Sequence, residues 1–121
     1  MEEQLNYLVN YLNPQTFLVG VIFVITAAVV YFFPPKKINN YYGYRTSSST
    51  KSQEAWDFSQ RFSAIKMMQI GFLLLASSFV NTLIPMSHKT AVFVGTTLII
   101  LSCVYLIWST EMAIKKQFPN S

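Results

Sequence analysis

Charge is the first thing this chain is short of. In 121 residues there are 9 Lys and Arg, 5 Asp and Glu and a single His, so charged residues make up 12% of the whole. An ordinary soluble domain carries roughly a quarter, and a 52% hydrophobic chain so poor in charge is matched to a bilayer rather than to water. The one cysteine, Cys103, lies in an apolar run, where it has no internal disulfide partner and is expected to pack. With one His, in a turn far from acidic residues, and no Cys/His spacing suited to a metal, neither a metal site nor a cofactor is expected. Nor does any ionisable group fall deep in an apolar run, which argues against an enzyme. The net charge of +4 does not form a continuous basic stripe, so no nucleic-acid partner is expected, and the basic residues read instead as topology signals. Acidic Glu2 and Glu3 stand where a signal peptide would be basic, and no cleavable leader is expected.

What the chain does have is three long hydrophobic runs. The expected fold is all-α: an integral membrane three-helix bundle with an N-terminal amphipathic interfacial helix and a cytoplasmic loop between spans 1 and 2. Residues 2–12 place Leu5, Leu8, Val9 and Leu12 on one helical stripe, with Tyr7 and Tyr11 around it, the pattern of a helix lying in the interface. Asn13-Pro14 supplies an N-cap and a first-turn proline, and 14–33 is long enough to span. The exit is Tyr31-Phe32-Phe33 followed by Pro34-Pro35. A loop then covers 34–52, an amphipathic entry helix 53–66, a second span 67–84, a short turn Met86-Ser87-His88-Lys89, a third span 91–110 and a polar tail 111–121. In the entry helix Ala55, Phe58, Phe62 and Ile65 form the apolar stripe, with Gln60 and the charged residues on other faces.

Three spans put the 34–66 segment and the C-terminus on one side of the membrane. All Lys and Arg residues except Lys89 fall on that side or at its edge, so the positive-inside rule makes it cytoplasmic and the N-terminus external.

The polar stretch between the first two runs carries the specific chemistry. It reads Pro34-Pro35-x-x-Ile38-Asn39-x-x-Tyr42-Gly43-Tyr44-Arg45-Thr46, followed by Ser49, Ser52, Glu54 and Trp56. Gly43 is the residue best able to take a positive φ and so to set the turn that separates Tyr42 from Tyr44. Arg45 is suited to bidentate grip on a lipid phosphate or a carboxylate. Glu54 is its obvious internal partner, and the two residues either brace the loop or leave Arg45 for a ligand. Trp56 and the tyrosines fit interfacial anchors, or alternatively an aromatic platform around Arg45. Within the spans, Gln69 and Asn81 are the side chains most costly to expose to lipid, and both are expected to face neighbouring helices. The pairs Thr16-x-x-x-Gly20 and Ala91-x-x-x-Gly95 have small-residue spacing, a common pattern of little weight alone.

This motif resembles the signature of the SdpI family of bacterial membrane immunity proteins, over about residues 31 to 63 and, through the three-span layout, most of the chain. Larger members carry further spans before this module. The resemblance implies a small multi-pass protein of the bacterial plasma membrane that confers immunity to, or senses, a membrane-active antimicrobial peptide without catalysing a reaction. Asn39, Tyr42, Gly43, Tyr44, Arg45, Thr46, Glu54 and Trp56 are then the candidates for binding or loop bracing. Expected partners are the bilayer, an antimicrobial peptide or lipid headgroup, and either a second copy or a cytoplasmic regulatory protein. Two other readings stand beside it: a lipid-handling protein, as transport subunit or headgroup enzyme, and a structural subunit of a larger membrane complex.

Overall fold

A computed structural model describes residues 1–119, with residues 7–11 described by backbone alone. Among the described residues there is helix and loop but no strand. The elements are α1 (Glu2–Tyr11), α2 (Pro14–Phe32), α3 (Gln53–Ser78), α4 (Val80–Leu83) and α5 (His88–Gln117). Three units are long and apolar enough to cross a membrane: α2, the α3–α4 stretch and α5. The helix expected at 2–12 forms as α1 over 2–11; Leu8 and Val9 of its apolar stripe lie outside the described side chains.

Local chemistry sets the helix starts. Asn13 accepts hydrogen bonds from the amides of Gln15 and Thr16 and Pro14 follows it, so α2 begins with capped donors and a proline that needs none. Ser52 caps α3 through the Ala55 amide, and Ser87 caps α5 through that of Thr90. The cap at Ser87 starts α5 before Ala91 and places His88 within the helix, shortening the expected turn. No break separates 66 from 67: entry helix and second span are one rod of 26 residues. At its far end the chain stops being helical at Phe79 and resumes for the single turn of α4. The polar tail is also mostly helical, because α5 runs on to Gln117. At 30 residues it is about 45 Å long, well beyond a hydrocarbon core of about 30 Å.

Close approach of α2 and α3 holds the bundle together. Thr16, Gly20 and Ala27 are buried on one side of α2, and Gly20 meets Gly71 so tightly that a Cβ on Gly71 would lie 3.0 Å from the Val24 amide nitrogen and 3.1 Å from the Gly20 carbonyl oxygen. Small residues let the backbones pack without a driving force that lipid cannot supply. Ile70, Leu74 and Leu106 form the apolar centre, flanked by Val19, Phe23, Met67 and Leu98. At one end, Asn13 ties three elements: its amide donates to the Ser78 carbonyl at 2.9 Å and its side chain to that of Ala91 at 3.1 Å. Its neighbour Gln15 donates to Thr96 at 3.3 Å. Asn81 is buried, but it closes the next turn rather than bridging helices, accepting from the Met86 amide at 2.7 Å.

Candidate functional site: a clasped loop roofing a lateral groove

At the opposite end, the segment between α2 and α3 folds onto the first turns of α3 and onto α5. Asn39 starts the fold-back with a side-chain turn, its Oδ1 accepting from the amides of Tyr41 (2.9 Å) and Tyr42 (2.8 Å). Tyr42 then reaches back and donates its hydroxyl to the Phe33 carbonyl at the end of α2, 2.6 Å away. Gly43 has φ 98°, the positive value expected of it. A side chain there would also meet the Gln60 amide and, at 2.7 Å, Cγ of Pro35, so both conformation and space require glycine.

Gln60 is the residue that fastens this turn. It is buried on α3, and its amide pairs with both backbone groups of Tyr44: Oε1 accepts the N–H and Nε2 donates to the C=O, each at 2.7 Å. One side chain thus stands in for a strand partner and satisfies two backbone groups that burial would otherwise leave costly. One turn earlier, Trp56 is fully buried and its indole N–H donates to the Pro35 carbonyl at 2.7 Å. It is therefore an internal fastener and not an interfacial anchor. Gln53 donates to the Lys36 carbonyl at 2.6 Å, a second link between α3 and the proline exit. Ser49, also buried, accepts from the Thr46 amide at 2.8 Å.

The third helix joins through Glu111. The Tyr44 hydroxyl donates to Glu111 Oε1 at 2.6 Å, and Ser48 donates to the other carboxylate oxygen. Burial pushes the Tyr44 phenol well above its ordinary range, and the hydrogen bond and charge of Glu111 push the same way. Tyr44 is therefore a fixed donor at any physiological pH. Phe118 packs edge-on against Phe58, with ring centroids 5.7 Å apart. Loop, start of α3 and end of α5 thus share one end of the molecule.

Three expectations are corrected. Arg45 and Glu54 do not pair: both are exposed, and neither has an ion-pair or hydrogen-bond partner among the described residues. Glu54 sits in the first turn of α3, where a carboxylate favours the helix N-terminus, and it points away from the face that carries the loop. That face is Ala55, Trp56, Ser59, Gln60, Ser63 and Ala64. It is not the stripe Ala55, Phe58, Phe62 and Ile65, of which Phe58 and Phe62 are half-buried and Ile65 is exposed. The apolar side of this helix turns outward because its surroundings include lipid, while its small and polar side receives the loop. The third correction concerns Gln69, which is exposed on the outer surface of α3 instead of facing a neighbouring helix.

Beneath the loop, α2 and α5 leave between them a side-opening groove of about 610 Å³. Its walls are Ile25, Val29 and Thr26 on α2 and Leu106 and Ile107 on α5; Ala64 and Met67 form its back. Tyr42, Gly43, Tyr44, Arg45 and Thr46 form its roof, so the signature residues that the clasp holds in place also close this groove. Arg45 is the only charged side chain lining it. The arrangement suits an apolar segment with one anionic group at its end.

The family model for the SdpI/YfhL protein family matches residues 36–109, the loop together with α3, α4 and most of α5. The chain belongs to this family. No curated protein and no solved structure matches it. Membership and three membrane-length helices make it a small, multi-pass membrane protein of SdpI type. Gln60 and Glu111, which hold the signature loop, were not among the residues singled out from the sequence. A glutamine on the polar side of an amphipathic helix looks like a solvated residue, and a glutamate after an apolar run looks like the start of a tail.

Proposed function

We propose that this SdpI-type protein binds a membrane-active antimicrobial peptide from within the bilayer and thereby confers immunity to it or reports its presence, without catalysing a reaction. The observation that carries this reading is the lateral groove roofed by Tyr42–Thr46. A peptide already inserted in the membrane reaches it sideways, which removes the difficulty that a secreted peptide arrives outside while the signature loop faces inward. In this reading the chain resides in the bacterial plasma membrane with the N-terminus outside and the loop and C-terminus in the cytoplasm. The charge distribution supports that orientation: the clasp gathers at one end the segments bearing every Lys and Arg except Lys89.

Arg45 is the anion-binding group of the groove, without an ion-pair or hydrogen-bond partner among the described residues and set where a peptide carboxylate reaches the headgroup level. A sensitive bacterial host expressing the wild-type chain is expected to survive challenge by one of a panel of hydrophobic membrane-active peptides. Arg45→Ala, at equal membrane abundance, is expected to lose most of that survival, with Arg45→Lys retaining part of it. No protection by the wild type against any of the panel, or equal protection by Arg45→Ala, contradicts the reading.

A further inference from the structure

The end of α2 leaves a recess that neither the clasp nor the groove uses. At 19 residues α2 is about 29 Å long and matches the hydrocarbon core, so its last residues, Tyr31 and Phe32, lie at the headgroup boundary. Beyond them only the non-helical segment from Pro34 to Lys36 runs along α3, tied to it through Trp56 and Gln53. Beside that segment is a hollow of about 530 Å³, and three charged residues line it: Lys36 from the exit, Asp57 and Arg61 from α3. The side chains of Lys36 and Arg61 are exposed and have no ion-pair or hydrogen-bond partner among the described residues. Asp57 is engaged, accepting from Gln53 Nε2 at 2.8 Å. A second hollow, of about 310 Å³, follows on the membrane side, bounded by Tyr31, which lines both, and by Phe32, Ala64, Ile65, Met68 and Gln69. Asp57, Arg61, Ala64 and Met68 recur at i, i+4, i+7 and i+11, so one stripe of α3 backs the polar hollow and the mainly apolar one beneath it.

We propose that the two hollows together seat one anionic phospholipid of the adjoining leaflet, its phosphodiester between Lys36 and Arg61 and an acyl chain in the recess below. The seat requires only that the chain spans a membrane and is independent of the peptide reading. An ammonium and a guanidinium from two different elements face one hollow at the depth where lipid phosphates lie. With Asp57 included, the lining carries one net positive charge, the complement of a phosphatidylglycerol headgroup, whose hydroxyls also donate to a carboxylate. A free phosphate uses the cations but not the apolar recess, and brings a second negative charge toward Asp57. A phosphatidylethanolamine is neutral overall and leaves the surplus charge unmatched. Gln69, one helical turn from Lys66 at the membrane edge, offers its amide to the glycerol ester carbonyls. The seat is separate from the groove, whose one charged lining residue is Arg45 and whose far wall is α5; no residue of α5 lines either hollow.

Native mass spectrometry of the full-length chain in neutral detergent, titrated with palmitoyl-oleoyl-phosphatidylglycerol, counts the bound lipid directly. Wild type is expected to retain one phosphatidylglycerol, to bind phosphatidylethanolamine of the same acyl chains about five-fold more weakly, and to keep its lipid in millimolar inorganic phosphate. The double variant Lys36→Gln/Arg61→Gln is expected to weaken retention about thirty-fold, roughly five-fold for each cation. Lys115→Gln/Lys116→Gln removes the same charge from outside both hollows and is expected to retain lipid as wild type does. Ile65→Trp fills the lower recess with every charge intact; it is expected to weaken retention too, which bare electrostatic attraction would not do. Unchanged helicity and an unchanged thermal midpoint without lipid separate loss of binding from loss of fold. The proposal is overturned if wild type retains no phosphatidylglycerol or does not prefer it to phosphatidylethanolamine, or if both double variants lose lipid equally. Retention by Ile65→Trp equal to wild type, or displacement by inorganic phosphate, overturns it as well and leaves a surface attraction or a free-phosphate site.

Discussion

Gln60, Trp56 and Tyr44 show how little of the loop's stability comes from its charges. The obvious electrostatic pair, Arg45 and Glu54, is split between solvent and the first turn of α3, and neutral hydrogen bonds to backbone groups do the fastening. The exception is Glu111, whose carboxylate takes hydroxyl donors from Tyr44 and Ser48 at the rim. The two pairs can be separated by double-mutant cycles read as thermal stability in detergent. Tyr44→Phe with Glu111→Gln is expected to show coupling of about 0.5–3 kcal/mol, as neighbours sharing a bond do, and Arg45→Ala with Glu54→Ala to be additive within about 0.5 kcal/mol. Part of this was legible in advance. Gly43 was identifiable because a turn between two tyrosines calls for a positive φ, whereas Asn39 showed its side-chain turn only in the structure. Gln60 was not, because its partner is the backbone of Tyr44, sixteen residues earlier in the chain, and no local pattern marks a glutamine as a surrogate strand.

At the scale of elements, the helices were readable from caps, prolines and apolar runs, since each of those signals acts over a few residues. What joins them was not. Gly71 lies in an apolar run where a lone small residue says nothing until the crossing partner is known, and the spacing from Thr16 to Gly20 became informative only with Gly71 opposite. Replacing Gly71 with Val puts carbon against the Val24 backbone nitrogen, where nothing can swing aside. Such overpacking costs about 1–3 kcal/mol, and Gly71→Val is expected to lower the thermal midpoint in detergent, whereas Leu73→Val on the exposed surface leaves it near wild type. The continuity of α3 was likewise hidden: charges at Arg61 and Lys66 suggested a separate entry helix. In the structure Lys66 stays on the rod, its Nζ 5.7 Å from the Phe62 ring centre and 5.8 Å from that of Tyr105, an apolar stem with a sheltered charge at the membrane edge.

For the whole molecule, one end is tied by Asn13 and the other by the clasp, and the groove lies where α2 and α5 separate beneath the clasp. The proposed orientation has a direct check. In a Cys103→Ser background, Lys115→Cys is expected to resist an impermeant thiol reagent in intact cells and to react after lysis, while Lys89→Cys reacts in both. The proposed function depends on the groove itself, and obstructing it tests the central claim most directly. Ile107 lines the groove and is 52% exposed, and Leu101, one helical stretch away on α5, is 59% exposed and does not line it, so both positions accept a larger side chain without disturbing the core. Survival of a peptide-challenged host expressing Ile107→Trp is predicted to fall to that of cells lacking the protein, while Leu101→Trp at equal abundance protects as wild type does. Full protection by Ile107→Trp would contradict the account.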